Sequence, residues 1–175
     1  RRGRPRARPL VIGHDKHPPL FYLLVRLWKS LAGESEFALR FLSVSCGVAL
    51  VPLSYRLGRE VLTPLAGLLT ALLVAISPFC VAWSQETRMY AMATALGVAS
   101  TWLALRLWQD RRGFWAYCLT SVALLYTLYV GIVYIVVQNL TWLVRLAFGE
   151  RKGWRRWMAA EAIVALCLCP WLVYA

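Results

Sequence analysis

Apolar residues in this chain fall in long continuous runs, separated by short groups that are basic or of mixed charge. Residues 41–55, 61–85, 89–105, 113–144 and 162–175 carry no charged side chain. About 20 apolar residues suffice to cross the hydrocarbon core of a bilayer as a helix, so runs of this length predict transmembrane helices. Counting sides by parity places them. With Arg56, Arg59 and Glu60 on one side, the run 61–85 crosses to Glu86 and Arg88, and 89–105 crosses back to Arg106, Arg111 and Arg112. The run 113–144 can be read in two ways. Taken as one, it would set Arg145, Arg151, Lys152, Arg155 and Arg156 opposite the other basic loops; taken as two spans hinged near Tyr129 to Gly131, it gathers all ten basic residues on one face. The positive-inside rule favours two. The predicted spans therefore lie near 37–56, 62–84, 87–107, 113–129, 131–147 and 157–175. Gln85, Gly131 and the N-terminal region are then outside.

Residues 18–32 break the pattern. On a helix, Tyr22, Arg26, Lys29, Ser30 and Gly33 share one stripe, and leucines, Phe21 and Trp28 cover the rest. Arg26 and Lys29 at mid-bilayer would cost about 2.5–3.5 kcal/mol each, so this helix is expected to lie along the outer interface, with Pro18 and Pro19 at its first turn. Tyr22, Trp28, Trp83, Tyr90 and Tyr129 would form the outer aromatic belt, and Tyr55, Trp108, Trp115, Trp154 and Trp157 the inner one.

Composition agrees: 60% of the 175 residues are hydrophobic and 16% charged, which excludes a soluble enzyme, a disordered chain and a disulfide scaffold. Twenty Lys and Arg against eight Asp and Glu would suggest a nucleic-acid partner in a soluble protein; here they read as topology determinants and no nucleic acid is expected. The five cysteines lie in or beside apolar runs and make no metal or disulfide framework. Residues 1–14 form an Arg-rich segment of unclear origin without the apolar stretch of a signal peptide, and 15–175 one membrane domain. Arg1 at the start and an apolar run at the end read as a fragment.

Two polar groups on the outer side are not explained by anchoring. His14-Asp15-Lys16-His17 gathers an acid, a base and two imidazoles just before the interfacial helix. Such cations, with the free N–H groups of a helix start, can bind a phosphate; Asp15 and His17 could instead share a divalent cation; a solvated loop would show the same residues. Ser84 to Tyr90 joins two spans. Ser84 can cap the next helix, Glu86 suits its first turn and Tyr90 shares its face, which serves an anchor as well as a site. Arg40 opens a span and could pair with Glu34 or Glu36, or reach a lipid phosphate.

Taken in order, Asp15-Lys16-His17-Pro18-Pro19-Leu20-Phe21-Tyr22-Leu23-Leu24, Gly33 to Arg40, Ser77-Pro78-Phe79 and Ser84-Gln85-Glu86-Thr87-Arg88-Met89-Tyr90-Ala91 resemble successive blocks of glycosyltransferase family 39. That family holds the dolichyl-phosphate-mannose-protein mannosyltransferases and the aminoarabinose transferases of the GT-C superfamily. The resemblance implies an integral enzyme of the cell membrane, multi-pass and prokaryotic, that moves a sugar from a polyprenyl-phosphate carrier to a protein, lipid or glycan acceptor on the non-cytoplasmic face. In such enzymes a carboxylate of the first outer loop deprotonates the acceptor, and basic groups or a divalent ion help the lipid phosphate leave. By that likeness Lys16, His17, Arg88 and Arg40 would bind the donor phosphate, and Asp15, Glu86 and Tyr90 would line the cavity or hold a metal. The catalytic carboxylate would lie before Asp15. Relatives often carry a His where this chain has Leu128.

The expected architecture is all-α: a polytopic bundle of about six spans plus the interfacial helix. The competing reading is a non-enzymatic membrane protein, a transporter or assembly subunit. A transporter should show broken helices and ionisable residues near mid-span.

Overall fold

The computed structural model describes residues 20–109, 112–150 and 152–174, so Asp15, Lys16, His17 and the two prolines after them lie outside the described residues. The rest forms helices α1 (Leu20–Ala32), α2 (Glu36–Val61), α3 (Pro64–Ile76), α4 (Pro78–Gln85), α5 (Met89–Trp108), α6 (Phe114–Thr127), α7 (Gly131–Ala147) and α8 (Trp154–Tyr174), with no strand among the described residues.

Local chemistry sets the boundaries. Ser35 starts α2 by accepting from the Ala38 N–H at 3.1 Å. Thr63 does the same for Ala66 at the start of α3, where Pro64 occupies a first turn that needs no N–H. The predicted span 62–84 is not one helix. It breaks at Ser77, and the two pieces are bent by 54°. Pro78 has no N–H and crowds the residue before it, which ends α3; Ser77 then caps the new helix at Cys80 N, 3.4 Å away. The span predicted at 37–56 in turn runs on to Val61, so Arg56 and Arg59 sit on the last two turns of α2 and not in a loop. Arg59 there complements the helix dipole. The hinge predicted near Tyr129 to Gly131 is present, since α6 stops at Thr127 and α7 starts at Gly131.

α5 is the central helix. Ala91, Ala93, Ala95, Gly97, Ser100 and Ala104 are buried on it, and these small side chains let α2 pack on one side and α6 on the other. A Cβ on Gly97 would lie 2.6 Å from the ring of Tyr134. α2 and α3 approach as closely, for a Cβ on Gly67 would meet the Tyr55 carbonyl at 2.7 Å. Outward, the bundle is apolar. Leu65, Leu68, Leu69, Leu72, Leu73 and Ile76 of α3 are exposed, as are Ile132, Val133, Val136, Val137, Leu140 and Val144 of α7, while Ser43, Ser54, Ser100, Ser121, Thr127 and Gln138 are buried. A soluble protein does not expose apolar area on this scale, whereas lipid covers it at no cost. This is an all-helical membrane fold. Among the described residues α2 alone is long and apolar enough to cross a bilayer by itself; α3 and α4 meet that requirement only together, as a bent pair with the form of a broken span or a re-entrant loop, and α6 and α7 are shorter apolar helices.

α1 divides into three sectors. Phe21, Leu24, Val25 and Trp28 turn to the bundle; Tyr22, Arg26, Lys29 and Ser30 form the predicted polar stripe, all exposed; and Leu23, Leu27 and Leu31 are exposed on the remaining side. A helix with one bundle face, one polar face and one uncovered apolar face fits the boundary between lipid and water.

Basic residues of α2, α5 and α7 gather at one end. Arg56 lies over Trp102, Arg145 over Trp108, and a Cβ on Gly153 would meet the Leu107 carbonyl at 2.7 Å, so the α7–α8 loop abuts the C-terminus of α5. Trp108 and Trp157, expected in an aromatic belt, are instead buried against each other with ring centroids 5.2 Å apart. Core packing of two large rings outweighs interfacial placement there. Trp115 and Trp154 are exposed, as a belt requires.

Candidate functional site

At the opposite end, α1 packs on α2 and α6, and its first turns meet the start of α5. Phe21 is buried with Met89 and Met92, and Leu20, Leu24, Leu42, Cys46 and Leu128 pack around them. Trp28 fastens the other half of α1 to α2: its indole N–H donates to the Ala38 carbonyl at 2.7 Å and its ring stacks on Phe41 at 5.8 Å. The segment between α4 and α5 rests on the same surface. The Ser43 hydroxyl donates to the Arg88 carbonyl at 3.5 Å, and Ser84 lies so close to Gly47 that a Cβ on the glycine would meet its Cβ at 2.6 Å. Four pieces of chain remote in sequence thus meet here, namely the start of α1, the first turns of α2, residues 84–90 and the α6–α7 turn.

The predicted site residues that the structure describes stand as follows. Arg40 pairs with Glu36 one helical turn back, and Glu34, the other acid considered for it, pairs with Lys29 at 3.0 Å. Arg88 Nε is 3.2 Å from Glu86 Oε2, in the loop itself. Tyr90 is half-buried and meets Trp83 edge-on, with ring centroids 4.4 Å apart. Arg40, Arg88 and Tyr90 therefore share one end of the bundle. Two expectations fail. Ser84 does not cap α5, because its hydroxyl turns back to the Val81 carbonyl at 2.7 Å within α4, and Glu86 precedes α5 and is not in its first turn. Helix α4 persists through Gln85 and leaves Arg88 as the N-cap, without a side-chain bond. Leu128 packs on the Phe21 cluster, so the position where relatives often carry His does face this end.

Both arginine pairs are exposed, with side chains 52% and 79% accessible for Arg40 and Glu36, and 60% and 54% for Arg88 and Glu86. Exposed pairs contribute about 0–1 kcal/mol, whereas a charge-assisted hydrogen bond contributes about 1.5–3 kcal/mol. Among the described residues no three His, Cys, Asp or Glu side chains gather as metal ligands.

Sequence reading missed a polar network inside the bundle. The Tyr117 hydroxyl lies 2.6 Å from Glu161 Oε1 and 3.0 Å from Gln138 Oε1; Gln138 Nε2 donates to Ser100 Oγ at 3.1 Å and Thr101 Oγ1 at 3.2 Å. Ser100 and Ser121 share a hydrogen bond of 2.9 Å, and Trp157 Nε1 donates to Asn139 Oδ1 at 3.2 Å. The network ties α5, α6, α7 and α8 together. Its signal was Gln138-Asn139 within an apolar run and Glu161 one turn inside Trp157, polar groups that must find partners in a bilayer. Tyr117 and Gln138 stand on either side of the α6–α7 turn, as two antiparallel helices require.

Compared with known families, residues 16–174 match the family model described as dolichyl-phosphate-mannose-protein mannosyltransferase. Neither the curated proteins nor the solved structures give a match.

Proposed function

The chain belongs to the dolichyl-phosphate-mannose-protein mannosyltransferase family, a family of membrane glycosyltransferases, and on that premise we propose that it transfers a sugar from a polyprenyl-phosphate carrier to an acceptor on the non-cytoplasmic face. One observation carries the siting of that chemistry: Phe21, at the start of α1, is buried in one cluster with Met89 and Met92 at the start of α5, directly after Arg88. His17 precedes Phe21 by four residues, which span at most about 14 Å fully extended. Lys16 and His17, which lie outside the described residues, would on this reading join Arg88 and Arg40 of the adjoining α2. The cations serve one need. As the anomeric carbon is attacked, its bond to the carrier phosphate breaks, and negative charge develops on the departing oxygen. Fixed cations near that oxygen lower the barrier more than they favour the bound donor.

Glu86 adds a carboxylate to the same end, Asp15, outside the described residues, would add another, and Tyr90, held by Trp83, would wall the cavity. Glu86 faces Arg88, and the described residues supply no ligand set for a divalent cation; Asp15 and His17, the residues expected to share one, lie outside them. The transporter reading draws on two features, the break at Ser77-Pro78 and the carboxylate of Glu161 in α8. Glu161 is engaged by Tyr117, however, and the family match concerns glycosyl transfer.

The test measures transfer from a polyprenyl-phosphate-linked sugar in membranes bearing the protein. His17→Ala and Arg88→Ala should each lower the rate by about 10-fold to 1,000-fold, the scale for one electrostatic contact at a transition state. Arg155→Ala at the basic end should leave it nearly unchanged. Full activity in both His17→Ala and Arg88→Ala would overturn the assignment.

A further inference from the structure

At the basic end, a cavity of about 620 Å³ opens between the last turns of α2 and α5, lined by Tyr55, Arg56, Arg59, Glu60, Trp102 and Arg106, with Pro52 at its edge. Its arginines are not arranged as simple topology anchors, which would extend separately into water. Arg106 lies over the ring of Trp102, one turn back on the same helix, at 5.0 Å; Arg56 reaches the same ring from α2 at 5.2 Å; and Arg59 lies over Tyr55 at 5.7 Å. Two guanidinium groups share one indole across a helix–helix interface. A ring face holds a guanidinium plane while leaving its N–H edges free, and those edges match phosphate oxygens in bidentate fashion. Among the described lining residues three such groups converge against one carboxylate, Glu60, so the cations are in excess there.

We propose that this cavity is a phosphate-binding site, and that the phosphate is the headgroup of an anionic lipid from the adjoining leaflet. The chemistry would accept any phosphate, free or lipid-borne. The setting favours lipid. The cavity lies between the ends of helices whose outer faces are apolar, with exposed Leu65, Leu68 and Leu72 on α3, which packs against α2. A headgroup in the cavity would leave its acyl chains along that surface, as in other basic pockets between membrane helices. The inference does not depend on glycosyl transfer, since it concerns the end opposite the candidate active site.

The experiment compares the full chain in vesicles of phosphatidylcholine alone and of phosphatidylcholine with equal phosphatidylglycerol, reading the unfolding midpoint and the phosphatidylglycerol retained on extraction. Phosphatidylglycerol should raise the midpoint and be retained, and Arg56→Gln with Arg106→Gln should lower its affinity by roughly tenfold or more. The control pair Lys152→Gln with Arg155→Gln removes equal charge from the same end outside the cavity and should preserve both effects. If the first pair does not fold, Arg56→Lys with Arg106→Lys keeps the charge, loses the planar fork and should still weaken retention. Equal loss in the control pair would reduce the effect to surface charge and overturn the site. So would the absence of any phosphatidylglycerol effect on the unaltered chain. Inorganic phosphate added to the phosphatidylcholine vesicles should change nothing; a full shift from it would overturn the lipid as source.

Discussion

The two ends of this bundle hold their cations in different ways. At the end where the start of α1 meets the start of α5, Lys29, Arg40 and Arg88 are each paired with a carboxylate nearby in sequence, all of them exposed. At the other end Arg56, Arg59, Arg106 and Arg145 lie over aromatic rings, and Arg145 also pairs with Glu150. The difference concerns availability. A carboxylate partner neutralises a guanidinium and must be displaced before an anion can bind; a ring face orients it and leaves the charge uncompensated. The first arrangement suits a charge that is to be exchanged during a reaction cycle. The second suits a standing affinity for an anion.

The comparison breaks first if the ends do not lie on opposite faces of a membrane. In a background without the native cysteines, Gln85→Cys should react with an impermeant thiol reagent from outside, and Lys152→Cys should not. The labelling should be all-or-none. Lys152 is the better choice at the basic end because Gly153 has φ of +74° and no room for a Cβ beneath the Leu107 carbonyl. The reverse pattern would invert the topology, and labelling of both would abolish it.

Next in size is Trp102, the ring shared by Arg56 and Arg106. Trp102→Ala should destabilise the bundle by about 2–4 kcal/mol, most of it lost packing, since the residue is only partly buried. Trp102→Leu keeps apolar volume and removes the π face, and should cost about 1–2 kcal/mol, the sum of two cation–π contacts and a shape mismatch. Unfolding of both variants in a fixed detergent checks the order. If Leu proves as costly as Ala, the ring matters for more than its volume and the comparison sharpens; if Leu is neutral, the stacked arginines contribute nothing.

Tyr117 separates the ends. Tyr117→Phe removes the hydroxyl that meets Glu161 and Gln138 and should cost about 1–3 kcal/mol, the scale for buried polar atoms left without a partner. Double-mutant cycles in another membrane bundle put the average interhelical hydrogen bond nearer 0.6 kcal/mol, so a result at the low end would mean that Gln138 and Glu161 find each other once the hydroxyl is gone. Combining Tyr117→Phe with Gln138→Leu distinguishes these cases, because a coupled pair is not additive.

How much was legible follows from the kind of signal each feature left. The α6–α7 turn at Leu128 to Val130 could be read because charge on both flanks constrains the number of crossings. The polar stripe of α1 could be read because helical period places Tyr22, Arg26, Lys29 and Ser30 together whatever the tertiary structure. The break at Ser77-Pro78 left no such trace, since proline within an apolar run can kink a helix, end it or be tolerated by neighbours. Glu161 falls inside the predicted span 157–175, and no spacing in the sequence pairs it with Tyr117 of α6. Trp108 and Trp157 matched belt positions by depth, and only packing shows that they bury each other. At the candidate site, spacing offered Glu36 as one partner for Arg40, while the pairing of Arg88 with Glu86 depends on a loop conformation that no period describes.

The smallest effect tests the meaning of the first arrangement. Glu36→Gln removes the partner of Arg40 on the exposed surface of α2, one turn from the helix start. Two contributions are lost: an i,i+4 ion pair of about 0.3–0.5 kcal/mol, and a negative charge in the first turn, where it complements the helix dipole by about 0.3–1 kcal/mol. Salt screens both, so the unfolding midpoint should fall slightly at low ionic strength and hardly at all at high. Arg40 itself would be released. If its pairing with Glu36 is a resting state that a phosphate displaces, Glu36→Gln should leave the affinity for the lipid-phosphate donor unchanged or improve it modestly, while Arg40→Ala should weaken it. Were Glu36→Gln to weaken donor binding as much as Arg40→Ala, the carboxylate would be orienting the guanidinium toward the donor, and the pair at this end would be as fixed as the ring-held arginines at the other.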